Sequence, residues 1–371
     1  MFIFISIVEV FSAMGKEVST GSYMPMFLKH CLWLISGFLC CYITHKIDYK
    51  KISAYIHLLL YISIGLLLAA YVIALVNGKP LSTARWIRPV PGMMIQFQPS
   101  EISKYIILFY LSYVMASNMD KINTKEIFWK LMIPLLSICF IVFWSNFSTS
   151  VLIFLTSFLI MYIGGVNKKY LFTTLLVLII GLGFMILLAY IVPEVANKIG
   201  RLSTIIGRAE GYSTSDFTQI TQRNQALIAV ATGGILGVGI GNSVQSRFLD
   251  EGHNDFIFSI ILEEGGIWLG IIIIMLYIIL LYRMFKTAKT ISGSFGALCS
   301  CAMGIVITLQ AVINMSVAVG LIPVTGQTLP FISYGGTSFV FASIFLGIII
   351  NISYNAEVMS NENIDNYESD N

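Results

Sequence analysis

An aspartate at position 255 stands where a long polar stretch (193–254) re-enters an apolar run, in His253-Asn254-Asp255-Phe256-Ile257-Phe258. A carboxylate at such a boundary can take a proton from a hydroxyl held at a membrane surface. It can equally cap the helix that follows. Glu101 and Lys104 are three apart in Gln98-Pro99-Ser100-Glu101-Ile102-Ser103-Lys104, where proline suits a first helical position and glutamate the first turn. A charge at membrane depth costs roughly 2.5–3.5 kcal/mol or more. Lys104, one turn inside the boundary, therefore calls for either an ion pair with Glu101 or a polar cavity in which it meets an anion or a sugar. Arg85-Trp86 reads as an interfacial anchor or as a planar fork for a phosphate. Asn242 and Gln245, in Asn242-Ser243-Val244-Gln245, can bind hydroxyls. Glu263 and Glu264 lie deeper in the same run as Asp255, and at least one must face the protein interior, paired with Lys104 or with a buried amide.

The elements that hold these groups follow from composition. Hydrophobic residues make up 57% and charged residues 11% of the 371, with a mean hydropathy of +0.84, whereas soluble domains carry about 25% charge. Such a chain cannot cover a water-facing surface, so its main solvent is a bilayer. A net charge of +3 gives no reason to expect a nucleic-acid partner. The six cysteines fall in apolar runs and read as small packing residues. Since a crossing helix needs about 20 apolar residues, candidate spans lie near 2–14, 26–44, 53–76, 99–117, 127–145, 148–165, 170–192, 255–282, 296–320 and 337–354. The first is short. The fold class expected is an all-α polytopic membrane protein of about ten transmembrane helices, with a large extracytoplasmic loop between spans seven and eight. Residues 1–354 form one membrane domain, and 355–371 a disordered cytoplasmic tail.

Basic residues in short loops set orientation. Lys46, Lys50, Lys51, Lys121, Lys125, Lys168, Lys169, Arg283, Lys286 and Lys289 share one side if every span crosses, which puts both termini in the cytoplasm. The outer segments are then 77–98 and 193–254. Within the second, Ala226, Leu227, Val230 and Ala231 recur at helical spacing, so a helix is expected over Gln219–Leu236. Gly233, Gly234, Gly237, Gly239 and Gly241 lack the spacing of a dinucleotide fingerprint and read as tight turns. Residues 321–338, with two prolines, three glycines and no charge, read as a re-entrant turn, because irregular backbone at membrane depth is tolerated only where it is buried or lines a cavity.

Several segments together resemble the SEDS family (shape, elongation, division, sporulation), the FtsW/RodA/SpoVE group. They are Phe97-Gln98-Pro99-Ser100-Glu101, Gln225 to Gly234, His253 to Phe258 with Glu263-Glu264, and Pro323 to Gly326 continuing through Leu329 to Ser338. Gln327-Thr328 and Asn146-Phe147-Ser148-Thr149 are more similar to the division branch than to the elongation branch. The resemblance implies a ten-span peptidoglycan glycosyltransferase of the cytoplasmic membrane that polymerises lipid II on the outer face. It also implies a class B penicillin-binding protein as transpeptidase partner, and other divisome membrane proteins around it. It assigns catalysis to Asp255, and substrate contacts to Arg85, Trp86, Glu101 and Lys104, with Gln225, Asn242, Gln245, Ser333 and Thr337 as further candidates. The chain departs from the pattern at Asn146, where many members carry an acid, and at Leu249-Asp250-Glu251-Gly252. A divalent cation (Mg or Mn) is left open. A lipid II flippase and a non-catalytic division scaffold stand as rival readings.

Overall fold

The computed structural model describes residues 1–15, 23–78, 80, 83–88, 96–191, 217–249, 252–291 and 293–369. Their regular structure is helical: α1 (Phe2–Ala13), α2 (Tyr23–Lys46), α3 (Tyr49–Ala54), α4 (Ile56–Val76), α5 (Pro99–Ser117), α6 (Lys125–Ser145), α7 (Phe147–Ile163), α8 (Lys168–Ile191), α9 (Phe217–Gly233), α10 (Ile257–Thr290), α11 (Ser294–Ala318) and α12 (Gly336–Ser369). Each of the ten apolar segments expected to span falls on one of these helices. Among the described residues six helices are long and apolar enough to cross a membrane, namely α2, α4, α6, α10, α11 and the first part of α12, while α1 and α7 are shorter apolar helices. Tyr55 separates α3 from α4, so the third expected segment begins with a separate short helix capped by Asp48, whose carboxylate accepts from Lys50 N at 2.9 Å.

The centre of the bundle is α5. Almost its whole length is buried, including Glu101, Ser103, Lys104 and Ser112, against α4, α7, α11 and α12. A helix covered on every side need not be apolar if its polar groups find each other. Ser103 and Ser112 donate to the carbonyls of Pro99 and Leu108 one turn back. The outer faces of α2, α4, α6 and α10 carry exposed leucine, isoleucine, phenylalanine and valine side chains, as lipid-facing surfaces should.

The backbone of α12 runs as helix to Ser369. One expectation changes. The run from 255 was expected to be one continuous helix; instead α10 is broken at Gly266, whose φ is 64°. Ile267 N–H donates to Gly234 O at 3.1 Å, while the carbonyls of Glu263 and Glu264 accept from Val238 and Gly239 N–H, both at 2.9 Å. Three backbone bonds at the break are thus made across to the glycine stretch. The close approach explains two of the glycines. A Cβ on Gly233 would strike the Leu262 carbonyl, and one on Gly237, which also has φ 79°, would strike that of Glu264. The helix expected over Gln219–Leu236 is α9, and it packs chiefly on α10.

Candidate active site

The irregular segment 319–335 between α11 and α12 is held by two amides one turn apart on α11. Gln310 Nε2 donates to Thr328 O at 3.0 Å, and Asn314 Nδ2 to Gln327 O at 2.7 Å. Its path needs left-handed backbone at Gly326 (φ 67°) and, unusually for a bulky residue, at Phe331 (φ 65°). The same groups reach across to the residues before α10. Asn314 Nδ2 also donates to Asp255 O at 2.8 Å, Ser333 Oγ to Asn254 O at 2.7 Å, and Tyr334 N–H to His253 O at 2.9 Å. Three successive carbonyls leading to Asp255 are therefore fixed by a second segment. The N-cap of α10 is Phe256, with no side-chain cap. The Asp255 carboxylate lies beside Gly326, where an added Cβ would stand 3.6 Å from Oδ2.

Opposite runs the first turn of α5. Glu101 Oε2 accepts from Lys104 Nζ at 3.0 Å and from Ser338 Oγ at 2.7 Å, and Lys104 Nζ also donates to Gln310 Oε1 at 2.7 Å. Lys104 is fully buried. The preceding loop is closed by an antiparallel bridge between Ile87 and Phe97, which carries Arg85 back to the end of α6, where its Nε donates to Ser145 O at 2.7 Å. Asn146 caps α7 through Thr149 N–H at 3.3 Å. These pieces enclose a cavity of about 450 Å3, whose charged lining is Lys29, Arg85, Glu101 and Asp255. Two cations and two carboxylates on one concave wall suit a ligand bearing both an anionic group and hydroxyls. Tyr334 is also in the lining, and burial pushes its phenol above its ordinary range.

A family model described as "Cell cycle protein" and built on FtsW, RodA and SpoVE matches residues 1–358. The chain belongs to the FtsW/RodA/SpoVE family. Among curated relatives, it is 31% identical to a Coxiella burnetii protein over 89% of this chain and 87% of that one. It is 32% identical to a Nitrosomonas europaea protein over 90% of this chain and 84% of that one. Both carry the name "Probable peptidoglycan glycosyltransferase FtsW". Among solved structures, a chain of a peptidoglycan synthase complex that coordinates polymerisation and crosslinking aligns at TM-score 0.70 and 20% identity, covering 96% of this chain and 97% of that one. The Thermus thermophilus rod-shape-determining protein RodA aligns at 0.65 and 19%, covering 96% and 94%. At these identities the structural likenesses speak for the fold.

Of the residues singled out in this family member's sequence, Arg85, Trp86, Glu101, Asp255 and Thr337 line the cavity. Lys104 does not: it sits behind Glu101 and reaches the cavity through that carboxylate and through Gln310, which holds Thr328. Ser333 is likewise set back, tying Leu329 N–H to Asn254 O. Gln225 on α9, and Asn242 and Gln245 after it, are not in the lining, because the 238–246 stretch is drawn against α10. There Glu263 accepts from Ser243 Oγ and from the N–H groups of Val244 and Gln245, and Glu264 accepts from Ser12 Oγ and Ser243 N–H. The two glutamates thus pair with donors of the 243–245 stretch and of α1 rather than with Lys104. Sequence reasoning missed Lys29, Trp33, Gln98, Gln327, Tyr334 and Ser338 as lining, and missed Gln310 and Asn314 as supports. The last two carried a signal, since they are amides at i, i+4 in an otherwise apolar span.

Proposed function

We propose that this chain polymerises lipid II into glycan strands at the outer face of the cytoplasmic membrane during division, as an inverting glycosyltransferase with Asp255 as general base. The single observation that carries the site assignment is that Asp255, Glu101, Arg85 and Lys29 meet on one cavity. Membership of the family and the names of the relatives support the reaction. Asp255 takes the proton of the acceptor sugar's 4-hydroxyl as that oxygen attacks C1 of the donor, and undecaprenyl diphosphate leaves with the bonding electron pair. One carboxylate suffices because the leaving group needs charge stabilisation rather than a proton. Arg85 is the planar contact for the diphosphate and Lys29 the second cation. Glu101, held by Lys104 and Ser338, is an acceptor for sugar hydroxyls.

Among the described residues no three acidic, histidine or cysteine side chains group as a metal cage. A divalent cation would therefore be held by Asp255 together with the diphosphate's own oxygens, and no step is routed through one. The topology that fits the reaction has ten crossings, both termini inside and the 193–254 segment outside. Its product suits a class B penicillin-binding protein as crosslinking partner, with other divisome proteins around them.

The test is polymerisation of supplied lipid II by purified protein, with and without a cognate transpeptidase. Asp255→Asn keeps the shape, and the backbone bond from Asn314 does not depend on the side chain. The expected loss is about 100- to 10,000-fold in rate, the usual worth of a positioned base, with the folded protein retained. Wild-type polymerisation by Asp255→Asn would remove the base from the mechanism. Lipid translocation without polymer would favour a transporter.

A further inference from the structure

We propose that a second cavity, between α2, α10 and α12 near the end that carries the basic loops, is a binding site for an anionic phospholipid of that leaflet. The cavity measures about 440 Å3 and shares no lining residue with the site above. Its lining changes character in one direction on two parallel helices. On α10 it runs from Leu280 through Arg283 and Met284 to Thr287, and on α12 from Leu346 through Ile349 and Ile350 to Ser353 and Tyr354. These spacings place each set on one helix face. Hydrocarbon thus lies toward the middle of the bundle, and a guanidinium with three hydroxyls lies toward the basic end.

The third wall is His45, at the end of α2. Its Nδ1 is buried with no hydrogen-bond partner among the described residues, and its ring meets the edge of Tyr354 at 6.0 Å between centroids. The frame is rigid. Asn351 Nδ2 donates to His45 O at 2.7 Å, Thr44 Oγ1 donates to Ile344 O at 3.0 Å, and Gly347 lets α12 touch the backbone of α2 at Cys41. The C-terminal carbonyls of α12 do not oppose an anion here, because that helix continues past the cavity to Ser369. Lys46, Lys286 and Lys289 add positive field around the mouth. A phosphate alone would satisfy only the polar half. A phosphate carrying acyl chains fills both halves, and the anionic headgroup is what the Arg283 end selects.

The full chain, purified in detergent and stripped of lipid, is offered phosphatidylglycerol or phosphatidylcholine, and retention is read by native mass spectrometry. The expected result is one phosphatidylglycerol retained in clear preference to phosphatidylcholine, with inorganic phosphate unable to displace it. Arg283→Gln should weaken retention about fivefold, the effect of one basic residue near a charged lipid surface. Ile349→Trp should block the apolar half, and Lys125→Gln, at the start of α6 and outside the lining, should leave retention unchanged. Equal retention of the two lipids by the wild-type chain would overturn the proposal without any variant having to fold. Displacement by inorganic phosphate would reassign the site to a free anion, and an Arg283→Gln variant that retains phosphatidylglycerol as well as the wild type would also overturn it. Polymerisation is not measured, so the outcome is independent of the catalytic reading.

Discussion

Lys104→Met tests whether that lysine serves the site directly or through Glu101. Lys104 is fully buried and its ammonium holds two partners, Glu101 at 3.0 Å and Gln310 at 2.7 Å. Methionine keeps the length of the stem and removes the charge. Glu101 would then keep Ser338 as its recorded donor, at 2.7 Å, and Gln310 Oε1 would lose a donor. Removing one member of a buried pair costs about 3–5 kcal/mol, most of it from the charge left behind. Glu101→Gln removes that charge, so the double variant should recover part of the loss, with a coupling energy of about 2 kcal/mol within the usual range of 0.5–3. Reversible unfolding in mixed micelles for the four proteins closes the cycle. Additivity to within about 0.5 kcal/mol would refute the coupling. Unchanged stability in Lys104→Met with a raised KM for the lipid donor would show instead that the lysine meets substrate itself.

Arg85→Lys keeps the charge but loses the planar fork, and KM for the lipid donor should rise about tenfold with kcat little changed; an unchanged KM would take Arg85 away from the diphosphate. Gly237→Ala drives a Cβ into the Glu264 carbonyl at a backbone φ of 79°, so it should cost about 3 kcal/mol or more by overpacking and left-handed strain together, read as a loss of folded yield and of melting temperature. Gly326→Ala faces only ordinary contact, 3.6 Å from Asp255 Oδ2. It should cost about 1–2 kcal/mol for its positive φ while polymerisation continues, which a parallel melt and activity assay would check.

The helices were legible because apolar runs of crossing length leave little choice of structure in a bilayer, and the boundary positions of Asp255, Glu101 and Arg85 were legible because charges are scarce in such a chain. The supports were harder to see. Gln310 and Asn314 belong to the site through carbonyls of a distant segment, and a local pattern does not say which carbonyls an amide will meet. Asn242 and Gln245 looked like ligand contacts because polar residues in a glycine-rich stretch suit that role. The structure commits their neighbourhood to Glu263 and Glu264, and that pairing depends on a break in α10 which only the glycine pair Gly265-Gly266 announces. Lys29 was overlooked because a lysine near the end of an apolar span usually reads as an interfacial anchor.

The break in α10 also bears on how the protein is made. Residues 234–239 leave the ribosome before the turn whose hydrogen bonds they complete. They must wait until α10 follows. Inserting or deleting even one residue between Gly234 and Gly239 would shift the donors out of step with the Glu263 and Glu264 carbonyls, so this stretch should resist the length variation that exposed connections usually accept.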